Sequence, residues 1–193
     1  MSDSWDDYAE GWDSNEDVIS YSEKAYKTLI DIYKVSGARV LDFGCGTGLL
    51  TEKLSPHASE VVAIDPSEKM ISVLNQKGLK NVTTIQAELS EALVNEEASL
   101  QQGFDLIVAS SVLAFIPQYQ DTIALLQRLL KKDGYLVQWD WHKHEGFGFN
   151  RDEIEKAYTD AGLSEVLVSV PFAMVGAGGS MEVIMGVGKK TCD

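Results

Sequence analysis

The stretch Val40-Leu41-Asp42-Phe43-Gly44-Cys45-Gly46-Thr47-Gly48 places an acid two residues ahead of three alternating glycines. Glycine after a strand lets the chain turn tightly and lets a ligand lie against bare main chain. The spacing is G-x-G-x-G, whereas the dinucleotide-binding fingerprint is G-x-G-x-x-G. Asp42 would also oppose a pyrophosphate a few Å away, because like charges repel. A ligand carrying an ammonium and a sulfonium would sit well there. A second acid, Asp65, ends another apolar run, at about the 20-residue spacing where an acid takes ribose hydroxyls in doubly wound folds. Its two oxygens can accept from both hydroxyls at once. Asp65-Pro66-Ser67-Glu68 equally reads as a helix start, with Pro at the first helical position and Glu at the third.

A third group of reactive residues is Asp140-Trp141-His142-Lys143-His144. On a strand, Asp140, His142 and His144 share one face. Histidine changes charge near neutrality, which makes His142 the candidate catalytic residue, a general base. The Asp-x-His-x-His spacing also permits a metal, but no fourth ligand is evident, and no metal is expected. The four tryptophans fall in two places, Trp5 and Trp12 near the start and Trp139 and Trp141 late in the chain. Trp139 reads as core, while Trp12 and Trp141 read as either core or ligand wall. Of the two cysteines, Cys45 reads as a small buried filler, since nothing near it in sequence would activate a thiol. Cys192 lies in the last two residues, so no structural disulfide is expected.

These residues need elements that hold them. Apolar runs bounded by turn residues mark strands at Arg39–Phe43, Val61–Asp65, Val82–Gln86, Phe104–Ala109 and Tyr135–Trp141. Helical segments alternate with them: Asp17–Val35 ahead of the first strand, then Gly48–Leu54, Ser67–Gln76, a short one near Glu88–Val94, and Tyr119–Lys131, with Arg151–Ala161 after the fifth strand. Tyr119–Lys131 carries Ile123, Leu126, Leu129 and Leu130 on one face and ends at Lys132-Asp133-Gly134, a stop signal. Alternation of this kind predicts an α/β fold, a mostly parallel sheet with helices on both faces. Two last strands, near Glu165–Val175 and Met181–Val187, are joined by a Gly-rich connector too short for a crossover helix, so a C-terminal antiparallel hairpin is expected.

The chain has 193 residues, enough for one domain with a real core, and is 45% hydrophobic. Sixteen basic residues against thirty acidic ones leave a net charge of −14, which disfavours nucleic acid and anionic membrane surfaces as partners. No apolar run approaches the roughly 20 residues of a membrane span. The acidic, aromatic N-terminus has no apolar signal core, so a cytoplasmic protein, monomer or homodimer, is expected.

Val40–Gly48 resembles the first motif of class I S-adenosylmethionine-dependent methyltransferases. The likeness runs from about Trp5 to Lys189: EVVAIDPSEKM resembles the family's second strand and its terminal acid, FDLIVASSVLAFI the fourth strand, LLKKDGYLV the approach to the fifth (Asp133 replacing a customary proline), and SWDDYAEGWD the aromatic N-terminal segment of the small-molecule branch. The resemblance implies one domain over 1–193, with residues 1–36 as an aromatic lid segment and helix and 37–193 as a Rossmann-like, doubly wound core of seven strands.

It further implies S-adenosylmethionine as cofactor, with S-adenosylhomocysteine as product. Asp42 would face the methionine ammonium, Gly44 and Gly46 would let the backbone approach, Gly48 would serve packing, and Asp65 would bind ribose. Trp12, Pro66 and Met70 are further cofactor contacts, Met70 packing on adenine. Gln86, Ala87 and Glu88 fall where the family reads the adenine amino group, Gln86 standing where Asp is usual. Ala109 and Ser110 would offer carbonyls to the methionine part. Where the family often has a histidine pair this chain has Ala114 and Phe115, and no role is carried onto them. Trp5, Tyr8 and Trp141 are the expected substrate contacts, for a small-molecule methyl acceptor attacked by in-line displacement. A catalytically inactive cofactor-binding partner protein and an NAD(P)-dependent oxidoreductase stand as the alternatives.

Overall fold

A computed structural model describes residues 5–176 and 179–191; Cys192 and the middle of the Gly-rich connector lie outside the described residues. Seven strands form one sheet: β1 (Arg39–Phe43), β2 (Glu60–Asp65), β3 (Val82–Gln86), β4 (Phe104–Ser110), β5 (Leu130–Trp141), β6 (Ser164–Gly176) and β7 (Gly179–Lys189). Their order is β3-β2-β1-β4-β5-β7-β6. The first five are mutually parallel, and β7 runs antiparallel to both neighbours, so the chain closes on the expected hairpin.

Two faces of helices explain why the central strands carry apolar residues on both sides. β1 is buried throughout. Its alternate residues go opposite ways: Val40 packs with Ala25 and Leu29 of α2 (Glu16–Ile32) and Leu50 and Leu54 of α3 (Leu49–Leu54). Leu41 and Phe43 belong to the other core, with Ile123, Leu126 and Leu129 of α6 (Tyr119–Leu129) and Ile154 and Tyr158 of α7 (Arg151–Asp160). Trp139 is fully buried and its indole N–H donates to Thr28 Oγ1 at 2.9 Å. α4 (Glu68–Gln76) closes a smaller core with Cys45 and Ala63 through Ile71 and Leu74, and α5 (Glu91–Glu96) adds Val94 to the second face.

Two of the boundaries that differ from expectation bear on the site and its frame. α6 stops at Leu129, and Leu130 already pairs with Phe104, after which the ladder resumes at Leu106 opposite Tyr135. The intervening residues loop out: Asp133 adopts φ 63°, its N–H donates to Lys190 O at 2.7 Å, and the Lys190 N–H donates to Gly134 O at 2.9 Å. The stop signal there serves a strand bulge. α4 starts later than read: Ser67 is its N-cap, accepting from Met70 N at 3.2 Å. That frees Asp65 from capping. Ahead of α2, residues read only as an aromatic segment form a single helical turn, α1 (Trp5–Tyr8), and a 3-10 turn at Trp12–Ser14.

Candidate functional site

Strand order reverses between β1 and β4, and parallel α/β sheets open their ligand crevice at such a switch point, beyond the carboxyl ends. A cleft of about 1150 Å³ lies there. The glycine loop forms its floor. Gly44 N and Cys45 N both donate to Ile64 O, at 2.9 and 3.1 Å, folding the loop back onto β2. A Cβ on Gly44 would lie 2.4 Å from Val112, and one on Gly48 2.3 Å from Leu74 of α4, so both glycines answer to packing. Gly46 differs: φ is 54°, and a Cβ would meet only Met70 Sδ at 3.9 Å. It leaves bare backbone toward the cleft.

Two acids flank that opening. Asp42 is 1% exposed, and Oδ2 accepts from Thr51 Oγ1 at 2.6 Å. Burial pushes its carboxyl up to about 6, with the nearby Asp65 adding to the rise and Thr51 opposing it. Asp65 Oδ2 accepts from Gly46 N and Oδ1 from Ser67 N, each at 2.9 Å. Burial raises its pKa too, against these two hydrogen bonds. Each oxygen keeps a lone pair for a ligand hydroxyl. Cys45 is buried beside them, and burial lifts its thiol well above the ordinary value, so it is no nucleophile.

The N-terminal segment arches over the cleft. Asp13 Oδ1 accepts from Thr47 Oγ1 at 2.5 Å, and Oδ2 pairs with Lys77 Nζ at 2.8 Å. Asp6 accepts from Ser67 Oγ at 2.5 Å and from Lys69 N at 3.2 Å. Trp5 meets Phe115 edge-on at 5.0 Å and Trp12 at 6.3 Å, and Trp141 meets Tyr21 at 5.6 Å.

The cleft wall includes Trp5, Trp12, Asp42, Gly44, Gly46, Asp65, Pro66, Met70, Ala87, Glu88, Ser110 and Trp141 from the residues singled out in the sequence. Four others stand elsewhere. Gln86 is exposed at the end of β3, and Glu88 is the polar side chain that reaches the wall. Ala109 is fully buried in the sheet. Tyr8 is 44% exposed and packs on Trp5 and Trp12 from outside the wall. His142 also lies off the wall, its Nδ1 2.8 Å from Glu182 Oε2. Asp140, expected on the same face, is fully buried and accepts from Ala114 N and Gln138 Nε2.

Several wall residues were not singled out in the sequence, among them those of two elements, α2 and the hairpin. Tyr21 and Ser22 of α2 line the wall with buried hydroxyls; that of Tyr21 is directed at Ser111, and neither has a hydrogen-bond partner among the described residues. Met174, Val175 and Met181 of the hairpin close the far side, where Lys24 Nζ ties α2 to Ala173 O at 2.8 Å. Tyr21 packs in one core with Ala25 and Leu29 of the same helix, so its spacing reads as core, and nothing local tells a hairpin that it borders a crevice. The wall holds five carboxylates, Asp17, Asp42, Asp65, Glu88 and Asp121, and no lysine, arginine or histidine among the described residues.

A doubly wound sheet with a glycine floor at its switch point and acids at the ends of β1 and β2 defines a Rossmann-like protein built for a nucleoside-bearing ligand. A family model described as a methyltransferase domain matches residues 16–157. The chain belongs to that methyltransferase family. It is 35% identical over 103 residues to a ubiquinone biosynthesis O-methyltransferase of Xanthomonas oryzae, a match covering 53% of this chain and 42% of that protein. The chain spans well under half the length of the curated relatives it matches first. Among solved structures, a DhpI–SAH complex superposes with TM-score 0.72 at 19% identity, covering 98% of this chain and 94% of that one. The N-methyltransferase NodS from Bradyrhizobium japonicum with S-adenosyl-L-homocysteine superposes with TM-score 0.66 at 20% identity, covering 93% and 90%. These likenesses carry the fold.

Proposed function

We propose that this chain binds S-adenosylmethionine in the cleft and transfers its methyl group to a small, uncharged or cationic acceptor with an apolar body. The observation that carries the reading is the charge of the wall, five carboxylates and no basic side chain among the described residues. A dinucleotide pyrophosphate, or an acceptor bearing phosphate or carboxylate, would meet like charge at every turn. S-adenosylmethionine sets an ammonium and a sulfonium against a single carboxylate, a net positive charge that the wall attracts, which also weighs against the oxidoreductase reading.

The residues fit such a cofactor. Asp42, a buried acid held by Thr51, takes the ammonium; Asp65 takes the ribose hydroxyls; bare backbone at Gly46 admits the ligand; Glu88 accepts from the adenine amino group. When bound, the cofactor supplies an electrophilic methyl group on sulfur. The chain contributes alignment and exclusion of water: Trp5, Phe115 and Trp141 wall the acceptor side, and Tyr21 and Ser22 offer hydroxyls to orient it.

Calorimetry with S-adenosylhomocysteine tests the binding half. Saturable binding is expected, weakened in Asp65→Ala by about 1–3 kcal/mol through lost hydrogen bonds to a charged group. No binding at millimolar ligand rejects the reading, and an unchanged Kd rejects the role of Asp65. Turnover is then assayed with neutral phenols and amines against their carboxylated counterparts. Preference for the set without carboxylates is expected. Binding without turnover on any acceptor would support the inactive partner protein.

A further inference from the structure

Just outside the cleft, β5 and β7 bring two histidines and a glutamate to one point. Trp141 stands opposite Val183, and the His142 N–H donates to Glu182 O at 2.9 Å, so these neighbours are held by the sheet itself. His142 Nδ1 and His144 Nε2 both address one oxygen, Glu182 Oε2, at 2.8 and 3.1 Å, with their rings 4.6 Å apart. All three ligating atoms lie within 4.8 Å of one another.

Around a tetrahedral ion with bonds of about 2.0–2.1 Å, neighbouring ligand atoms stand about 3.4 Å apart. Small rotations of His144 and Glu182, whose side chains are 74% and 45% exposed, close that difference. The frame does not depend on them. Lys143 N donates to Phe149 O at 2.8 Å, Phe149 N donates to Trp141 O at 2.9 Å, and the Lys143 ammonium is engaged by Glu153 at 2.6 Å. A net charge of −14 draws cations to the surface.

We propose that His142, His144 and Glu182 form a site for a divalent transition-metal ion of the zinc or nickel kind, with water in the remaining positions. Two imidazoles and one carboxylate suit such ions, whereas magnesium and calcium prefer oxygen ligands throughout. The missing partner of the Asp-x-His-x-His stretch is thus Glu182, contributed by β7, while Asp140 points into the core. An ion here ties the segment after β5 to β7 next to Trp141 and Met181, both in the cleft wall, and so braces the rim on the acceptor side. The proposal stands whether or not the cleft transfers methyl groups.

Tag-free protein stripped with a chelator is titrated with zinc chloride by calorimetry, and histidine ring resonances are followed by NMR. One ion per chain is expected, with the His142 and His144 signals shifting together and those of His57 unmoved. His144→Ala and Glu182→Gln should each weaken binding about tenfold or more, since even outer-shell losses cost that much. His57→Ala, at a residue stacked on Tyr26, should not. The proposal is overturned by no binding at millimolar zinc, by unchanged affinity in both variants, or by equal competition from magnesium.

Discussion

Asp42 keeps its carboxyl where bulk water does not reach, and burial raises the pKa from 3.8 to about 6. On the proposed role of Asp42, a bound ammonium stabilises the ionised form, so ligand binding and proton release there are linked. Above about pH 6 the free protein already carries the charge; below it, the ligand must displace a proton. S-adenosylhomocysteine affinity is therefore expected to hold steady above about pH 6 and to fall by up to about tenfold per pH unit beneath it, as one linked proton requires. Asp42→Asn should bind more weakly and without that slope. Parallel profiles for the two proteins, measured by calorimetry from neutral to acid pH, would show that Asp42 does not face the ammonium.

At the scale of elements, the N-terminal segment borders the cleft and is held there by acids, the arrangement a cover would need. Asp13 joins it to the glycine loop through Thr47 and to α4 through Lys77, and Asp6 joins it to the start of α4 through Ser67. Lys77 also pairs with Glu52 at 3.0 Å, so α4 stays anchored when Asp13 is lost. Asp13→Ala should lower the melting temperature by no more than about 6 °C and speed ligand release by about tenfold, the worth of one hydrogen bond of about 1.4 kcal/mol. Stopped-flow tryptophan fluorescence reads this directly, because Trp5 and Trp12 ride on the cover. An unchanged release rate would mean that the segment does not close over the ligand.

For the whole molecule, the decisive group is Asp140. It is fully buried, and burial raises its carboxyl to about 8 despite hydrogen bonds from Ala114 and Gln138. The folded state thus keeps a proton that the unfolded chain sheds near pH 4. A pKa raised in the fold contributes stability that is full below the unfolded value and lost as pH rises through the folded one, at about 1.4 kcal/mol per pH unit for one proton. Asp42 acts with the same sign up to about pH 6. The exposed acids held low by hydrogen bonds, Asp6, Glu97 and Glu182, act oppositely, but only at the acid end. Urea unfolding of the unliganded protein should show stability declining between pH 6 and 8. Asp140→Asn should flatten that decline: a neutral amide can donate to Gln138 Oε1, which is buried without a partner, once the Gln138 amide turns over. Equal slopes for both proteins would refute the assignment.

The sequence by itself determined the alternation of strand and helix, the closing hairpin, the glycine floor and the two acids that end β1 and β2. Each rests on short-range physics: apolar period, turn chemistry, and an acid at the end of a buried run. Trp139 as core was legible for the same reason. Where one helix capped or one strand bulged depended on partners far along the chain: Ser67 displaced Asp65 as a cap within reach of Asp6, and Lys190 drew Asp133 out of α6's path. Only the tertiary structure decided that Tyr21 and the hairpin methionines face the cleft, that Gln86 and His142 do not, and that Glu182 meets two histidines. Those are contacts between elements 38 to 150 residues apart, as in the pairing of His144 with Glu182 and of Lys24 with Met174. Which face of an amphipathic element borders a crevice instead of a core depends on what lies opposite, and periodicity does not carry that.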